Sequence, residues 1–154
     1  AFMLGAKGKV DFIISMAGIG VKGDTALTAQ ANKILELTGQ SMRFSTHQYR
    51  MNAIIERSPW LNFFIDYDPS GDISKTLCPV MAINGSRDVQ VIPSLNLMGI
   101  KAHLKPNSKN IIKEYPSLNH LFQHCKTGNV LEYRMIEETI SPEVLEDIVR
   151  FIKQ

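Results

Sequence analysis

The sequence has little of several features that would point to particular classes of protein. Only two cysteines, Cys78 and Cys125, occur among its 154 residues, and they lack the CxxC spacing of a structural zinc site. We therefore expect free thiols rather than a disulfide framework. The longest apolar run, residues 10–21, contains Asp11 and is about half the roughly 20 residues of a membrane-spanning helix, so no membrane span is expected.

The chain also has no excess of charge of one sign. Its 17 basic and 15 acidic side chains give a net charge of +2 and form no run of like charges, so binding of nucleic acid is not expected. No basic segment followed by an apolar stretch and a small-residue cleavage site marks a secretory signal, and the compartment stays open. The 44% of hydrophobic residues is typical of one compact globular domain.

Three short apolar runs, each stopped by glycine or proline, predict buried parallel strands at residues 9–17, 79–84 and 110–115. Apolar residues at helical spacing predict a helix from Asp24, as its N-cap, to Gly39. A less regular pattern predicts a second helix over 42–57, which Pro59 ends.

Two more helices are predicted nearer the end of the chain. One covers residues 93–104, with Pro93 in its first turn. The other starts at Ser141 and Pro142 and has a buried stripe formed by Val144, Leu145, Ile148, Phe151 and Ile152. Strands and helices therefore alternate, which predicts an α/β fold of about three parallel strands with flanking helices. The helix pair between the first two strands exceeds a minimal crossover and predicts a helical cap insertion.

Ligands of open parallel sheets bind at the carboxyl ends of the strands. Asp88 follows the second predicted strand closely, and His120 follows the third. Either residue alone is more typical of a turn or of a structural position. Together, an acid and then an imidazole at consecutive strand ends match the order of the acid and base in the Ser-Asp-His triad of α/β hydrolases.

Five segments, in this order and spacing, resemble bacterial α/β hydrolases of the dienelactone-hydrolase-like or serine-aminopeptidase-like type, which act as esterases or peptidases. They are Ser58-Pro59-Trp60-Leu61-Asn62-Phe63-Phe64, Tyr67-Asp68-Pro69, Cys78-Pro79-Val80, Asn84-Gly85-Ser86-Arg87-Asp88-Val89-Gln90-Val91 and Leu118-Asn119-His120-Leu121-Phe122-Gln123. The resemblance implies that residues 1–154 are the C-terminal half of an α/β-hydrolase domain. It makes Asp88 the triad acid, His120 the triad base and residues 24–66 the helical cap, with no cofactor.

The nucleophile of such a triad is missing from this sequence. The G-x-S-x-G motif occurs nowhere: the segment around Ser41 lacks the second glycine, and Ser15 and Ser117 also fail the pattern. We therefore expect the chain to be truncated, to lack the N-terminal half that carries the serine, and to be inactive alone. Truncation would expose the edge of the first strand, so we expect the chain to form a homo-oligomer.

Three hypotheses of function follow. The leading one is hydrolysis of a small-molecule ester or a peptide by the parent protein through an acyl-enzyme. The second treats the chain as a non-enzymatic α/β interaction or oligomerisation module. The third, a metal site on His120 and His124, lacks a third ligand, so no metal is expected. Trp60, Phe63 and Phe64 are candidates for lining a substrate cleft, although such clusters are more often ordinary packing.

Overall fold

The computed structural model describes residues 1–52 and 58–154. Three strands, β1 (Ile13–Met16), β2 (Val80–Gly85) and β3 (Ile111–Tyr115), form one parallel sheet in the order β1-β2-β3. Ile13 lies opposite Val80, and Met81 lies opposite Ile111. The three predicted strands and the predicted α/β class are therefore confirmed.

The helices of the described residues flank this sheet. They are α1 (Phe2–Gly5), α2 (Gly23–Leu37), α3 (Thr46–Asn52), α4 (Pro59–Asp66), α5 (Ser70–Lys75), α6 (Pro93–His103) and α7 (Pro142–Ile152), with a 3-10 helix at Val130–Met135. The predicted helices at 24–39, 93–104 and the end of the chain are confirmed, whereas α1, α4, α5 and the 3-10 helix were not predicted. None of the described helices has the length and hydropathy needed to cross a membrane.

The core lies on both faces of the central strand. All six residues of β2 are buried, as expected for a strand covered on two sides. Because side chains alternate along a strand, Met81 and Ile83 face one side and Val80 and Ala82 the other. The first group packs with α7 and the turn after β3, and the second packs with α1, α5 and α6.

The predicted buried stripe of α7 is too wide. Val144 and Phe151 are buried, but Leu145 is 46% exposed and Ile152 is 52% exposed. Each of these two residues follows a buried one, and a step of one residue turns the side chain by about 100° around the helix. The contact with the sheet is therefore a narrower stripe than the apolar residues alone indicate.

The predicted helix over 42–57 is wrong in its start and in the role of Pro59. Helix α3 covers only Thr46–Asn52, and residues 53–57 lie outside the described part of the chain. Pro59 does not end a helix but begins α4, where Ser58 is the N-cap and its Oγ accepts the Leu61 N–H at 3.2 Å. Proline suits this position because the first turn of a helix leaves its N–H groups unpaired.

Asp24 is not the N-cap that its position predicts. Helix α2 begins at Gly23 with Lys22 as N-cap, two residues before the predicted N-cap, and Asp24 lies buried in the first turn. Its carboxylate pairs with Arg50 at 2.8 Å, and Arg50 also pairs with Asp66 at 2.8 Å. Burial raises the pKa of Asp24, but hydrogen bonds from Arg50 and Lys22 outweigh it and hold that pKa low. The two ion pairs of Arg50 join α2, α3 and α4. That this region acts as a cap stays a prediction.

Candidate active site

The carboxylate of Asp88 is held rigidly in the loop after β2. Its side chain is fully buried, and its Oδ1 accepts the backbone N–H groups of Gln90 and Val91, both at 2.8 Å. The Asp88 N–H donates to the Gly85 carbonyl at 3.1 Å. Such short-range bonds from an aspartate to the following backbone are typical of tight turns. They leave Oδ2 free to meet a group from another strand.

His120 lies in a compact turn after β3. Asn119, which is fully buried, accepts the backbone N–H groups of Leu121 and Gln123 with its Oδ1 at 2.9 and 3.0 Å. Ser117 and Phe122 have φ values of 62° and 58°, in the left-handed region that non-glycine residues seldom occupy. Two left-handed residues and a buried amide therefore shape the turn that presents the imidazole.

The structure brings the two predicted site residues together. His120 Nδ1 lies 2.8 Å from Asp88 Oδ2, and the His120 side chain stays 27% exposed. When Nδ1–H donates to a carboxylate, the other ring nitrogen, Nε2, carries the lone pair. The pair is therefore arranged so that Nε2 can accept a proton, while the carboxylate at Nδ1 can stabilise the imidazolium that would result.

Backbone hydrogen bonds connect the loop of Asp88 to the turn of His120. The Ser86 N–H donates to the Tyr115 carbonyl at 2.8 Å, and the Arg87 N–H donates to the Leu118 carbonyl at 2.9 Å. Gly85 allows this approach, because a Cβ atom there would lie only 2.3 Å from the Leu118 carbonyl oxygen. The contact between Asp88 and His120 is thus built on a backbone contact that needs glycine at residue 85.

Two further residues at the site, Gln90 and Tyr133, have no role that the sequence predicts. Gln90 Nε2 donates to Tyr133 Oη at 3.2 Å. Burial raises the pKa of Tyr133, and the negative charge of Asp88 raises it further. The bond from Gln90 and the nearby His120 backbone lower the pKa, but by less. Tyr133 lies on the 3-10 helix, where the residues show no helical periodicity. Asn129, whose Oδ1 caps that helix by accepting the Leu131 N–H at 2.9 Å, is the one local signal.

The two histidines of the metal hypothesis bind separate carboxylates. His124 Nδ1 lies 3.0 Å from Glu138 Oε2, and its side chain is 59% exposed. His120 instead contacts Asp88. Across residues 1–52 and 58–154, no three histidine, cysteine, aspartate or glutamate side chains are grouped so that they could hold a metal ion.

The aromatic residues predicted to line a substrate cleft lie on α4. Trp60 and Phe63 are 64% and 54% exposed. Trp60 stacks on Phe64 with ring centroids 5.0 Å apart, and Phe63 stacks on Tyr67 at 5.4 Å. Within the described residues, none of the hydrogen bonds or ring contacts joins this cluster to Asp88 or His120. Its role in substrate binding stays a prediction.

Both cysteines are free thiols, as the sequence predicts. Burial raises the pKa of Cys78 and of Cys125, and for Cys125 the charge of Glu132 raises it further. Cys125 also belongs to the turn of His120, since its N–H donates to the Ser117 carbonyl at 3.0 Å.

Comparisons with known proteins identify the fold. No protein-family model matches the chain, and no curated protein matches it. Among solved structures, it is similar to the crystal structure of BpoC from Mycobacterium tuberculosis H37Rv, described as a non-heme bromoperoxidase, with 18% identity and a TM-score of 0.51. The match covers 98% of this chain and 60% of BpoC, so the chain spans about 60% of that protein's length. The fold is that of the α/β hydrolases, in agreement with the resemblance seen in the sequence.

Proposed function

We propose that Asp88 and His120 are the acid and the base of a Ser-His-Asp triad that hydrolyses carboxylic esters or peptides. The 2.8 Å contact between His120 Nδ1 and the buried Asp88 carboxylate is the observation that carries this proposal. The serine would come from a G-x-S-x-G segment that these 154 residues do not contain. The α/β-hydrolase fold supports the proposal because this triad recurs on that fold.

In the proposed reaction, His120 Nε2 takes the proton of the serine hydroxyl as the serine oxygen bonds to the substrate carbonyl carbon. Asp88 holds Nδ1–H and stabilises the imidazolium. His120 then gives that proton to the leaving alcohol or amine as the bond to the carbonyl carbon breaks. His120 then deprotonates a water molecule as its oxygen bonds to the acyl carbon. The bond between that carbon and the serine oxygen breaks, His120 returns the proton to the serine, and the carboxylic acid leaves. Substrate recognition by Trp60, Phe63 and Phe64 belongs to the same proposal.

A fluorophosphonate probe that labels activated serines tests the proposal. We expect no labelling of the 154-residue chain, and labelling of the protein expressed from the complete reading frame. Labelling of the isolated chain would contradict the missing nucleophile. If the complete protein is folded and stays unlabelled, the hydrolase proposal fails.

Two matched pairs of variants separate the triad from the rest of the turn. His120→Ala and Asp88→Asn should abolish or strongly reduce labelling of the complete protein, because each removes a partner that activates the serine. His124→Ala and Glu138→Gln make matching changes to a histidine and a carboxylate in the neighbouring contact at 3.0 Å, and both variants should label normally. Equal labelling of all four variants would contradict the assignment of Asp88 and His120 to the triad. A folded complete protein that is labelled in no form, unsubstituted or variant, would favour the alternative, a non-enzymatic interaction or oligomerisation module.

A further inference from the structure

Gln90 and Tyr133 lie beside Asp88, and no step of the proposed reaction uses them. Gln90 has two contacts of different kinds. Its backbone N–H donates to Asp88 Oδ1 at 2.8 Å, while its side-chain Nε2 donates to Tyr133 Oη at 3.2 Å. Gln90 therefore connects the acid directly to the tyrosine.

Tyr133 also lies on a segment that is connected to the turn of His120. Its neighbour Glu132 accepts the Thr127 N–H at 3.1 Å, and Thr127 comes two residues after Cys125, whose N–H donates to the Ser117 carbonyl in that turn at 3.0 Å. Burial and the nearby negative charge of Asp88 raise the pKa of Tyr133, so the hydroxyl keeps its proton at neutral pH. A neutral hydroxyl thus bonds to the loop of the acid through Gln90, and it lies on a segment that is joined to the turn of the base through Glu132 and Thr127.

The 3-10 helix that carries Tyr133 has its own attachment to the loop of Asp88. The Glu132 carboxylate accepts the N–H groups of Thr127 at 3.1 Å and of Gly128 at 3.2 Å. Gly128 packs so closely that a Cβ atom there would lie 2.0 Å from the Arg87 carbonyl oxygen. Arg87 also donates from its guanidinium to the Cys125 carbonyl. The segment that carries Tyr133 is therefore held next to the loop of Asp88 independently of the bond between Tyr133 and Gln90.

We infer that Gln90 and Tyr133 are positioning residues that keep the turn of His120 at the distance where Nδ1 meets Asp88 Oδ2. One hydrogen bond alone must offset the rotamer freedom that the imidazole loses on being held in place. A second connection between the two loops reduces that cost, because it limits the movement of the backbone that carries the ring. The value of this connection for catalysis rests on the proposed function, whereas its effect on the contact between Asp88 and His120 does not.

The exchange rate of the His120 Nδ1 proton with solvent, measured by NMR on the 154-residue chain, tests the inference. Exchange occurs when the contact with Asp88 opens, so the rate reports the open population. We expect Tyr133→Phe and Gln90→Met each to raise this rate about fivefold, the effect of losing one net hydrogen bond. The double variant should raise it little further, because both changes break the same connection.

Tyr67→Phe is the matched control. It removes a half-buried hydroxyl that bonds to Asp72 at 2.7 Å, in a contact that involves neither loop. It should leave the exchange rate of the His120 Nδ1 proton unchanged. Amide exchange of the β2 residues serves as an internal reference and should stay the same in every variant.

If both variants exchange the His120 proton at the rate of the unsubstituted chain, the inference is overturned while the triad proposal stands. If the unsubstituted chain itself shows no protected Nδ1 proton on His120, the acid and base are not paired, and the proposed function loses its premise as well. Should Tyr133→Phe fail to fold, Gln90→Met decides the matter, because it retains the backbone N–H bond to Asp88 and removes only the side-chain donor.

Discussion

Replacing Gly85 by alanine tests whether the backbone contact between the loop of Asp88 and the turn of His120 holds these two residues together. A Cβ atom at residue 85 would lie 2.3 Å from the Leu118 carbonyl oxygen and 2.6 Å from that of Asn119. Carbon and oxygen normally stay more than 3 Å apart, so the turn of His120 would have to move by about 1 Å. Both clashing atoms belong to the backbone, so no side-chain rotation can relieve the contact.

The expected cost has two parts. Forcing an extra methyl group into a packed contact costs about 1–3 kcal/mol. Displacing the Leu118 carbonyl also weakens its 2.9 Å bond from the Arg87 N–H, which adds about 1 kcal/mol. We therefore expect Gly85→Ala to lower the free energy of unfolding by about 3 kcal/mol and Tm by roughly 10 °C. The His120 Nδ1 proton should lose its protection at the same time, because the ring moves with its turn.

Urea unfolding followed by circular dichroism measures the first effect, and NMR measures the second. Gly71→Ala is the control: it adds the same methyl group within α5, where a Cβ atom would meet nothing within 4 Å. Alanine favours helices over glycine by about 1 kcal/mol, so this variant should match or exceed the unsubstituted chain. If Gly85→Ala is as stable as Gly71→Ala and keeps the protected proton, the close approach of the loops does not support the site.

Three other measurements follow from the structure. Hydrogen bonds from Lys113 and Tyr115 hold the pKa of Asp147 below its usual range, so the unfolded state binds more protons in acid and stability should fall as pH drops below about 4. Asp147→Asn should lower the free energy of unfolding by about 2 kcal/mol at pH 7. In urea titrations at lower pH, the variant should lack the part of the decrease in stability that comes from protonating Asp147. Replacing an N-cap serine by alanine usually costs about 1 kcal/mol of stability. Ser141→Ala should instead leave the thermal stability unchanged or raise it, because Ser141 Oγ is buried and has no hydrogen-bond partner among the described residues. We also propose that copies of the chain associate through β1, which lies at the edge of the sheet. Sedimentation should show oligomers at micromolar concentration, and fewer of them for Met16→Lys, which places a charge on that exposed strand. A monomer for the unsubstituted chain would refute this.

The sheet could be predicted because its signals are local. The run that forms β2 lies between Pro79 and Gly85 and is apolar at almost every position, as a strand covered on both faces requires. The start of α4 shows where such signals fail. Ser58 and Pro59 form the same N-cap and first-turn pattern that correctly predicts the start of α7 at Ser141. Because a helical pattern precedes them, however, the sequence predicts that Pro59 ends that helix and not that it begins α4.

The contact between Asp88 and His120 could be predicted from topology rather than from local sequence. Asp88 and His120 are 32 residues apart, but both follow neighbouring parallel strands, and such strand ends meet at one edge of a sheet. Tyr133 follows no strand, and its contact with Gln90 spans 43 residues. It depends on how the long segment between β3 and α7 folds back, which no spacing or periodicity indicates.

The raised pKa values of the two thiols bear on how any oligomer of this chain would be held together. Thiol oxidation and disulfide exchange proceed through the thiolate, and burial keeps Cys78 and Cys125 protonated at neutral pH. Both should therefore react slowly with iodoacetamide and with oxidised glutathione. Oligomers that form on storage in air should dissociate in sodium dodecyl sulfate without a reducing agent, since their contacts would be non-covalent.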